Sequence, residues 1–396
     1  MTISVEDKLI FAAARLHPSD DEILSMEQLI SNVNDWDNFT NNVIRNSVGP
    51  LIYKNLSYAI NYSSIPDSTI SKLKQTYYQS FFRNEIIYKN FNDVINAISE
   101  LGTPVIALKG IFLVNCIYKD LGIRQMSDID LLVKVDDAEN CKNSLINIGF
   151  VCEDRYKSDF IKRNTDIKHL PQLLKENIPV ELHLKIHPSN CEYYVDIDDY
   201  WQNAQPVTIN NSKCLALSPN DLLQHLCLHL DYHFMYGKIQ LYSYCDIAAV
   251  LKFYKDEFNW DTFNQTCIKY NCTKNVNRHL YIINKYFGAL LPEEIQSNVY
   301  QSFEQDFEQL FISYFKGDTI EIKKTISNTS VEAIKRVSGF GNKFKYLLND
   351  IFPSSNYMRK RYQIKSKWLI FLYYLVRLKA GLFELLFLIK KTIIKK

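Results

Sequence analysis

The chain has 396 residues, of which 47% are hydrophobic and 23% are charged, and its formal net charge is +2. This balance is ordinary for a folded globular protein and excludes a disordered or fibrous chain. The nine cysteines are scattered without a CxxC or CxxH pair, which argues against a disulfide framework and a structural zinc site. The first residues lack a secretory leader pattern, so the sequence favours a cytoplasmic protein.

Residues 1–101 predict an N-terminal helical region. Ser4 and Ser19 are each followed three residues later by an acidic side chain, the capping-box pattern of a helix start. Apolar residues then recur at helical spacing between residues 81 and 101, which predicts one long amphipathic helix. The residues that carry this spacing are Ile87, Phe91, Val94, Ile95 and Ile98.

Strands and helices alternate over residues 102–215, which predicts a small sheet core. An apolar strand at 105–108 ends at the dipeptide Lys109-Gly110, and a helix follows it. Gly110 would let the backbone approach a phosphate, and Lys109 would add a positive charge. A plain strand-to-helix turn is the alternative interpretation.

The next predicted strand, at about residues 127–135, carries Asp128 and Asp130. Because side chains alternate along a strand, both carboxylates point the same way. Together with the phosphates of a nucleoside triphosphate they form a sufficient cage for Mg²⁺, or for Mn²⁺ in its place. Two acids at an exposed strand end are the alternative, but without a cation they would repel each other.

A hairpin is predicted next, with strands at 165–174 and 178–186. Glu181 lies on its polar face and offers a third carboxylate beside the aspartate strand, as two-metal phosphoryl chemistry requires. His169 and His183 are equidistant from the centre of the turn, so a simple hairpin places them opposite each other. They could contact a nucleotide or acceptor, or form a structural pair.

Residues 216–358 predict a C-terminal helical domain. His225, His229 and His233 recur every four residues on one helix face, a spacing that can hold zinc. No HExxH motif supports zinc, and a helix packed beside the site with His225 or His229 reaching inward is favoured. A core role for these histidines is the alternative. Dinucleotide and P-loop fingerprints are also missing from the sequence.

Residues 359–396 carry eleven basic side chains and one acidic side chain, Glu384. A basic amphipathic helix is predicted, with Arg377, Glu384, Lys391 and Lys395 on one stripe. Such a helix fits peripheral contact with an anionic membrane surface or with a protein partner. Packing against the chain's own helical domain is the alternative.

These motifs together resemble the nucleotidyltransferase superfamily of the DNA polymerase β type, and most closely its poorly characterised bacterial branch. The resemblance rests on the order of Leu108-Lys109-Gly110, Arg124, Asp128-Ile129-Asp130, Gly149-Phe150, His169, Glu181-Leu182-His183, Leu217 to Leu223, His225, His229 and Asp246-Ile247-Ala248. It implies an α+β fold, in which a small mixed sheet is flanked by N-terminal and C-terminal helical regions. The wider superfamily has Gly-Ser where this sequence has Lys109-Gly110, so substrate detail does not transfer.

The resemblance also implies an activity, the Mg²⁺-dependent transfer of a nucleoside monophosphate from an NTP to a hydroxyl acceptor with release of pyrophosphate. Asp128, Asp130 and Glu181 would be the catalytic residues and the metal ligands. The implied nucleotide-binding residues are Lys109, Gly110, Arg124, His169 and His183. Arg124 would clamp the triphosphate, although as a lone arginine it could equally be a surface residue.

The acceptor stays open between a small molecule and a protein. Nucleic acid is disfavoured because the chain outside the basic tail is acidic overall. The main alternative is a catalytically inactive nucleotide-binding or interaction module with the same fold. The presence of all three carboxylates argues against that alternative.

Overall fold

The computed structural model describes residues 3–152, 168–187, 191, 193–235, 241–318, 358, 364, 369–376 and 378–379. The chain divides into two compact units, Met1–Ile326 and Ser327–Lys396. The helices described in the first unit are α1 Val5–Ala13, α2 Asp20–Ile30, α3 Trp36–Arg45, α4 Gly49–Leu56, α5 Asp67–Ser99, α6 Gly110–Phe112, α7 Ala138–Asn147, α8 Ile197–Asn203, α9 Pro219–Met235, α10 Tyr242–Phe253, α11 Trp260–Lys269, α12 Thr273–Phe287, α13 Glu293–Gln301 and α14 Gln305–Lys316. The strands are β1 Ile106–Ala107, β2 Ile129–Leu132, β3 Val151–Cys152, β4 Leu173–Lys175, β5 Ile178–His183, β6 Gln205–Ile209 and β7 Ser212–Ala216.

The strands form one mixed sheet in the order β3-β4-β5-β2-β1-β7-β6. The central pairs β2/β5 and β1/β7 are parallel, and the other neighbouring pairs are antiparallel. Helices precede and follow the sheet along the chain. The predicted α+β fold with a small mixed sheet is confirmed.

The predicted start signals of the first two helices are present as capping boxes. The side chains of Ser4 and Ser19 accept hydrogen bonds from the third helical residue, whose own carboxylate accepts one from the serine backbone. The long amphipathic helix is α5, which begins after Pro66 and is longer than the sequence pattern indicated. Its five predicted apolar positions are all buried, so this face packs into the core.

The strands are shorter than predicted. β1 covers only Ile106–Ala107, although Val105 and Leu108 extend its hydrogen bonding to neighbouring strands. β2 begins at Ile129, so Asp128 lies immediately before the strand. The helix after β1 continues from α6 into a π-helical turn, Leu113–Tyr118, and ends at Lys119 with a left-handed backbone.

The hydrophobic core of the first unit includes both N-terminal and C-terminal helices. Phe11 of α1 lies within ring contact of residues from α12 and α14, with centroid separations from 4.7 Å to 6.1 Å. The partner rings are those of Tyr286, Phe287, Phe311 and Phe315. The predicted boundaries within this unit stay a prediction, but its two helical regions share one core.

The second unit is described only in part. Met358, Ile364 and Ile370 are buried together, with Tyr373 and Tyr374 packed against them. The predicted stripe of Arg377, Glu384, Lys391 and Lys395 lies outside the described residues. Within the part of the chain that the structure describes, we find no helix with the length and hydrophobicity of a membrane span.

Candidate functional site

Two carboxylates lie side by side at the centre of the sheet. Strands β2 and β5 are parallel neighbours, and their register pairs Asp130 directly with Glu181. Asp128 precedes β2 by one residue and acts electrostatically on both Asp130 and Lys109. The sequence prediction that Glu181 lies on a strand beside the aspartate strand is therefore confirmed.

Asp130 is buried and closely surrounded by partners. The Lys109 Nζ atom lies 3.0 Å from its Oδ1 atom, and the His183 Nε2 atom lies 2.6 Å from the same oxygen. Burial alone would raise the pKa of Asp130, but the Lys109 charge and the His183 hydrogen bond outweigh burial and lower the pKa well below its usual range. Asp130 is therefore ionised at neutral pH.

Glu181 is held by two neighbours from the same hairpin. Gln172 donates from Nε2 to Oε1 at 3.2 Å, and the His183 Nε2 atom lies 3.5 Å from Oε2. The interaction with His183 lowers the pKa of Glu181, against the opposing effect of burial. His183 thus connects two negatively charged carboxylates, while no partner for its Nδ1 atom is found among the described residues.

Asp128 behaves differently from Asp130, although both carboxylates belong to the same site. Its Oδ1 atom accepts one hydrogen bond, from the Ser127 hydroxyl at 3.0 Å. Burial and the neighbouring charge of Asp130 raise the pKa of Asp128 to about 6. A cation placed between these carboxylates would relieve this repulsion.

The donor atoms of Asp130, Glu181 and His183 all lie within 4.8 Å of one another. Two carboxylates and an imidazole are a donor set that suits Mn²⁺ or Zn²⁺, and the carboxylates alone suit Mg²⁺. Asp128 is not one of the three converging residues. The residues present therefore fit a divalent metal. Asp130 and Glu181 belong both to the predicted ligand set and to this converging group.

The predicted phosphate-binding turn has an unusual backbone. Lys109 has a φ of 51° and a ψ of −126°, a strained conformation for a residue with a side chain. A Cβ atom on Gly110 would lie 2.6 Å from the Arg124 Nη1 atom and 3.1 Å from Met126. A side chain at this position would therefore displace the Arg124 guanidinium, whether or not a phosphate also approaches.

Arg124 is bound to the helical region rather than exposed. Its Nη2 atom lies 2.9 Å from Oδ2 of Asp246 on α10, and its guanidinium lies 4.8 Å from the centroid of the Tyr242 ring. The Tyr118 hydroxyl donates to the other Asp246 oxygen at 2.9 Å. This buried group links the turn after β1 to α10, and a direct role for Arg124 in nucleotide binding stays a prediction.

The two predicted hairpin histidines face each other. His169 and His183 form an isolated antiparallel bridge, and their ring centroids are 5.5 Å apart. The hairpin itself turns at Glu176 and Asn177, both with positive φ, so its register pairs Leu173 with Val180. In this register His183 would pair with residue 170 rather than with His169. The chain therefore shifts by one residue between His169 and Leu173, and this shift produces the predicted histidine pair.

With this geometry established, comparison with known proteins identifies the family. The model of an uncharacterised nucleotidyltransferase family matches residues 32–288, which is more than half of the chain. The chain belongs to this family. No curated protein and no solved structure matched the chain.

The family match spans the sheet and the helices on both sides of it. It contains the predicted site residues Lys109, Gly110, Arg124, Asp128, Asp130, His169, Glu181 and His183. Membership supports a transferase that uses an NTP, and the buried cluster supports metal binding.

Sequence reasoning missed two contributors to the site. Gln172 orients Glu181, and Lys168 lies near enough to Asp130 and Glu181 to interact electrostatically with both. Burial and the Lys109 charge lower the pKa of Lys168 to about 8. For Lys168 the available signal was its position next to His169, because a residue adjacent in sequence to a predicted site residue lies close to that site.

Proposed function

We propose that this protein is a metal-dependent nucleotidyltransferase that moves a nucleoside monophosphate from an NTP to a hydroxyl group and releases pyrophosphate. The acceptor is a small molecule or a protein side chain. The observation that carries the proposal is the β2/β5 register, which puts Asp130 and Glu181 side by side with Asp128 next to them. Family membership supports the same class of reaction.

Asp128, Asp130 and Glu181 would hold Mg²⁺, or Mn²⁺ in its place, with His183 as a further donor or as the group that orients the carboxylates. The bound metal would neutralise charge on the phosphates and on the leaving pyrophosphate. Lys109, already beside Asp130, would supply an additional positive charge to the nucleotide. His169 would line the edge of the site next to His183.

Glu181 would orient the acceptor. Because its pKa is lowered, its carboxylate stays ionised and accepts a hydrogen bond from the acceptor hydroxyl. The hydroxyl oxygen forms a bond to the α-phosphorus, and the bond from that phosphorus to the bridging oxygen breaks. Pyrophosphate leaves with the electron pair, and the hydroxyl proton passes to solvent. Positioning and charge account for most of the catalysis in such a reaction.

Two substitutions separate binding from turnover. Asp130→Asn should abolish metal-dependent nucleotide binding in calorimetry, because it removes a ligand charge that both Lys109 and the metal require. Glu181→Gln should retain nucleotide binding and lose transfer of label from α-labelled NTPs to acceptors in a size-fractionated lysate. Asp136→Asn and Glu176→Gln, at exposed positions, are the matched controls.

Unchanged affinity of Asp130→Asn for the metal-nucleotide complex would contradict the role of Asp130 as a metal ligand. Nucleotide binding by the wild-type protein without transfer of label from any of the four NTPs would favour the inactive binding module. Label on protein, RNA or small molecules would identify the class of acceptor.

A further inference from the structure

Two buried imidazoles and one half-buried imidazole follow one another in space close to the site. His187 follows β5, and His225 and His229 lie four residues apart on α9. The ring centroids of His187 and His225 are 5.8 Å apart, and those of His225 and His229 are 5.9 Å apart. We call His187, His225 and His229 the histidine row.

The histidine row has unpartnered nitrogen atoms. His187 Nε2, both ring nitrogens of His225 and His229 Nδ1 are buried without a hydrogen-bond partner among the described residues. His225 is only 1% exposed. A buried polar atom without a partner destabilises the folded protein, so several in one place indicate a group that binds there.

Two lysines act electrostatically on the row, namely Lys168 and Lys109, of which Lys109 is ion-paired with Asp130. Burial lowers the pKa of all three imidazoles, and the charges of Lys109 and Lys168 lower it further. The imidazoles are therefore neutral, and each has one N–H group to donate. Asp231 also acts on His187, but its carboxylate is paired with His279 and Arg278.

A metal is a poor occupant for this row. Within the described parts of the chain, the converging donor group is Asp130, Glu181 and His183, and the row is not part of it. The row itself contains no carboxylate, so a divalent cation there would be repelled by Lys168. An anion is attracted by the same lysine charge, and its oxygen atoms accept hydrogen bonds from the imidazole N–H groups.

We propose that the histidine row and Lys168 form a binding site for a phosphate group. The imidazoles donate to the phosphate oxygens, and the Lys168 ammonium neutralises them. Two sources share this chemistry, the terminal phosphates of the nucleotide and a phosphate carried by the acceptor. The choice between these two sources rests on the proposed function. Binding of phosphate to the site can be tested without measuring nucleotidyl transfer.

The test measures binding of inorganic phosphate and pyrophosphate to the full chain by calorimetry. His225→Phe keeps the ring shape and removes both nitrogens, and Lys168→Met keeps the chain length and removes the charge. Each should weaken phosphate binding at least about tenfold, which is the loss of one charged hydrogen bond. Lys213→Met, at an exposed position, should leave phosphate binding unchanged.

The thermal melting temperature separates a binding role from a packing role. His225→Phe should melt at or above the wild-type temperature, because it removes unpartnered buried nitrogens. A large fall in melting temperature together with unchanged phosphate affinity in Lys168→Met would overturn the proposal. Phosphate affinity that is unaffected in both variants, or zinc binding that depends on His225, would overturn it as well.

Metal-nucleotide titrations distinguish the two sources. An equal loss of nucleotide affinity in both variants assigns the site to the nucleotide's terminal phosphates. Retained nucleotide affinity with lost phosphate affinity assigns it to a phosphorylated acceptor. Asp130→Asn should retain or strengthen inorganic phosphate binding, because it removes a negative charge that acts on Lys168. Failure of the carboxylate site and failure of the phosphate site therefore give different results.

Discussion

Asp128 and Asp130 are two residues apart, yet their pKa values are shifted in opposite directions. Asp130 is stabilised as an anion by Lys109 and His183. Asp128 has only the Ser127 hydroxyl as a described hydrogen-bond partner, and burial together with Asp130 raises its pKa. In metal-free protein, a proton entering this site therefore binds to Asp128 first, which relieves the repulsion between the two carboxylates.

Replacing Asp128 should stabilise the metal-free protein. Because its pKa rises from about 4 in the unfolded chain to about 6 on folding, wild-type stability falls as the pH increases through this window. Asp128→Asn should therefore gain about 1–3 kcal/mol at pH 7 and lose this advantage near pH 4. Urea unfolding in EDTA at both pH values measures the difference.

Asp136→Asn is the control for that experiment, because Asp136 is an exposed aspartate in the same part of the sequence. An Asp128→Asn advantage of the same size at both pH values would contradict the titration argument.

The sequence predicted that Glu181 lies beside the aspartate strand and that His169 faces His183, and the structure shows both positions. Equal distance from the turn does not explain the histidine pair, because the hairpin register is one residue out of step with it. Asp128 lies before β2, so strand alternation does not place it with Asp130. The ion pair of Arg124 with Asp246 could not be predicted, since its partners are far apart in sequence and no local rule aligns them.

At the level of elements, α9 and α12 are joined by a buried polar cluster around Asp231. Its carboxylate accepts hydrogen bonds from Asn275 Nδ2 and His279 Nε2, both at 3.0 Å, and pairs with Arg278. The other His279 nitrogen lies 3.2 Å from the Tyr244 hydroxyl. Burial opposes ionisation, but the His279 bond and the Arg278 charge lower the pKa of Asp231.

Asp231→Asn should destabilise the protein by about 3 kcal/mol, because it leaves the Arg278 charge buried without a counter-ion. An acid with a lowered pKa contributes stability above its unfolded pKa and loses it as the pH falls. The gap between wild type and Asp231→Asn should therefore narrow at acid pH. Denaturant unfolding checks this, with exposed Asp256→Asn as the control; a constant gap would argue for a packing effect alone.

Helices were easier to predict than strands. Their starts carry capping signals and their periodicity extends over many residues, whereas β1 and β3 have two residues each. The β6/β7 hairpin was missed although Asn210 and Asn211, both with positive φ, form its turn. An Asn-Asn pair between two strand-like runs was the available signal.

At the scale of the whole molecule, the second unit exposes apolar side chains on a helical segment at residues 370–376. Phe371 is 72% exposed and Leu375 is 61% exposed, one helical turn apart. Exposed apolar side chains together with the basic composition of residues 359–396 are typical of a helix that contacts a membrane surface or a protein partner, and this contact stays a prediction.

Full-length protein should sediment with anionic vesicles more than with neutral ones, and the double substitution Phe371→Ser with Leu375→Ser should reduce the bound fraction severalfold. Both effects are expected because apolar insertion and charge attraction act together. Phe303→Ser, at a partly exposed position in the first unit, is the control. Equal partitioning of all three proteins would reject membrane contact.

The lack of a side chain at Gly110 bears on which fragments of this protein can fold with the turn after β1 intact. The space is filled by Arg124, whose counter-ion Asp246 belongs to α10 and not to the sheet. A fragment of residues 102–215 would keep the glycine and the arginine but leave the guanidinium without its carboxylate. The smallest fragment that keeps this turn therefore has to extend through α10. Grafting the sheet alone onto another scaffold should fail to preserve the turn after β1.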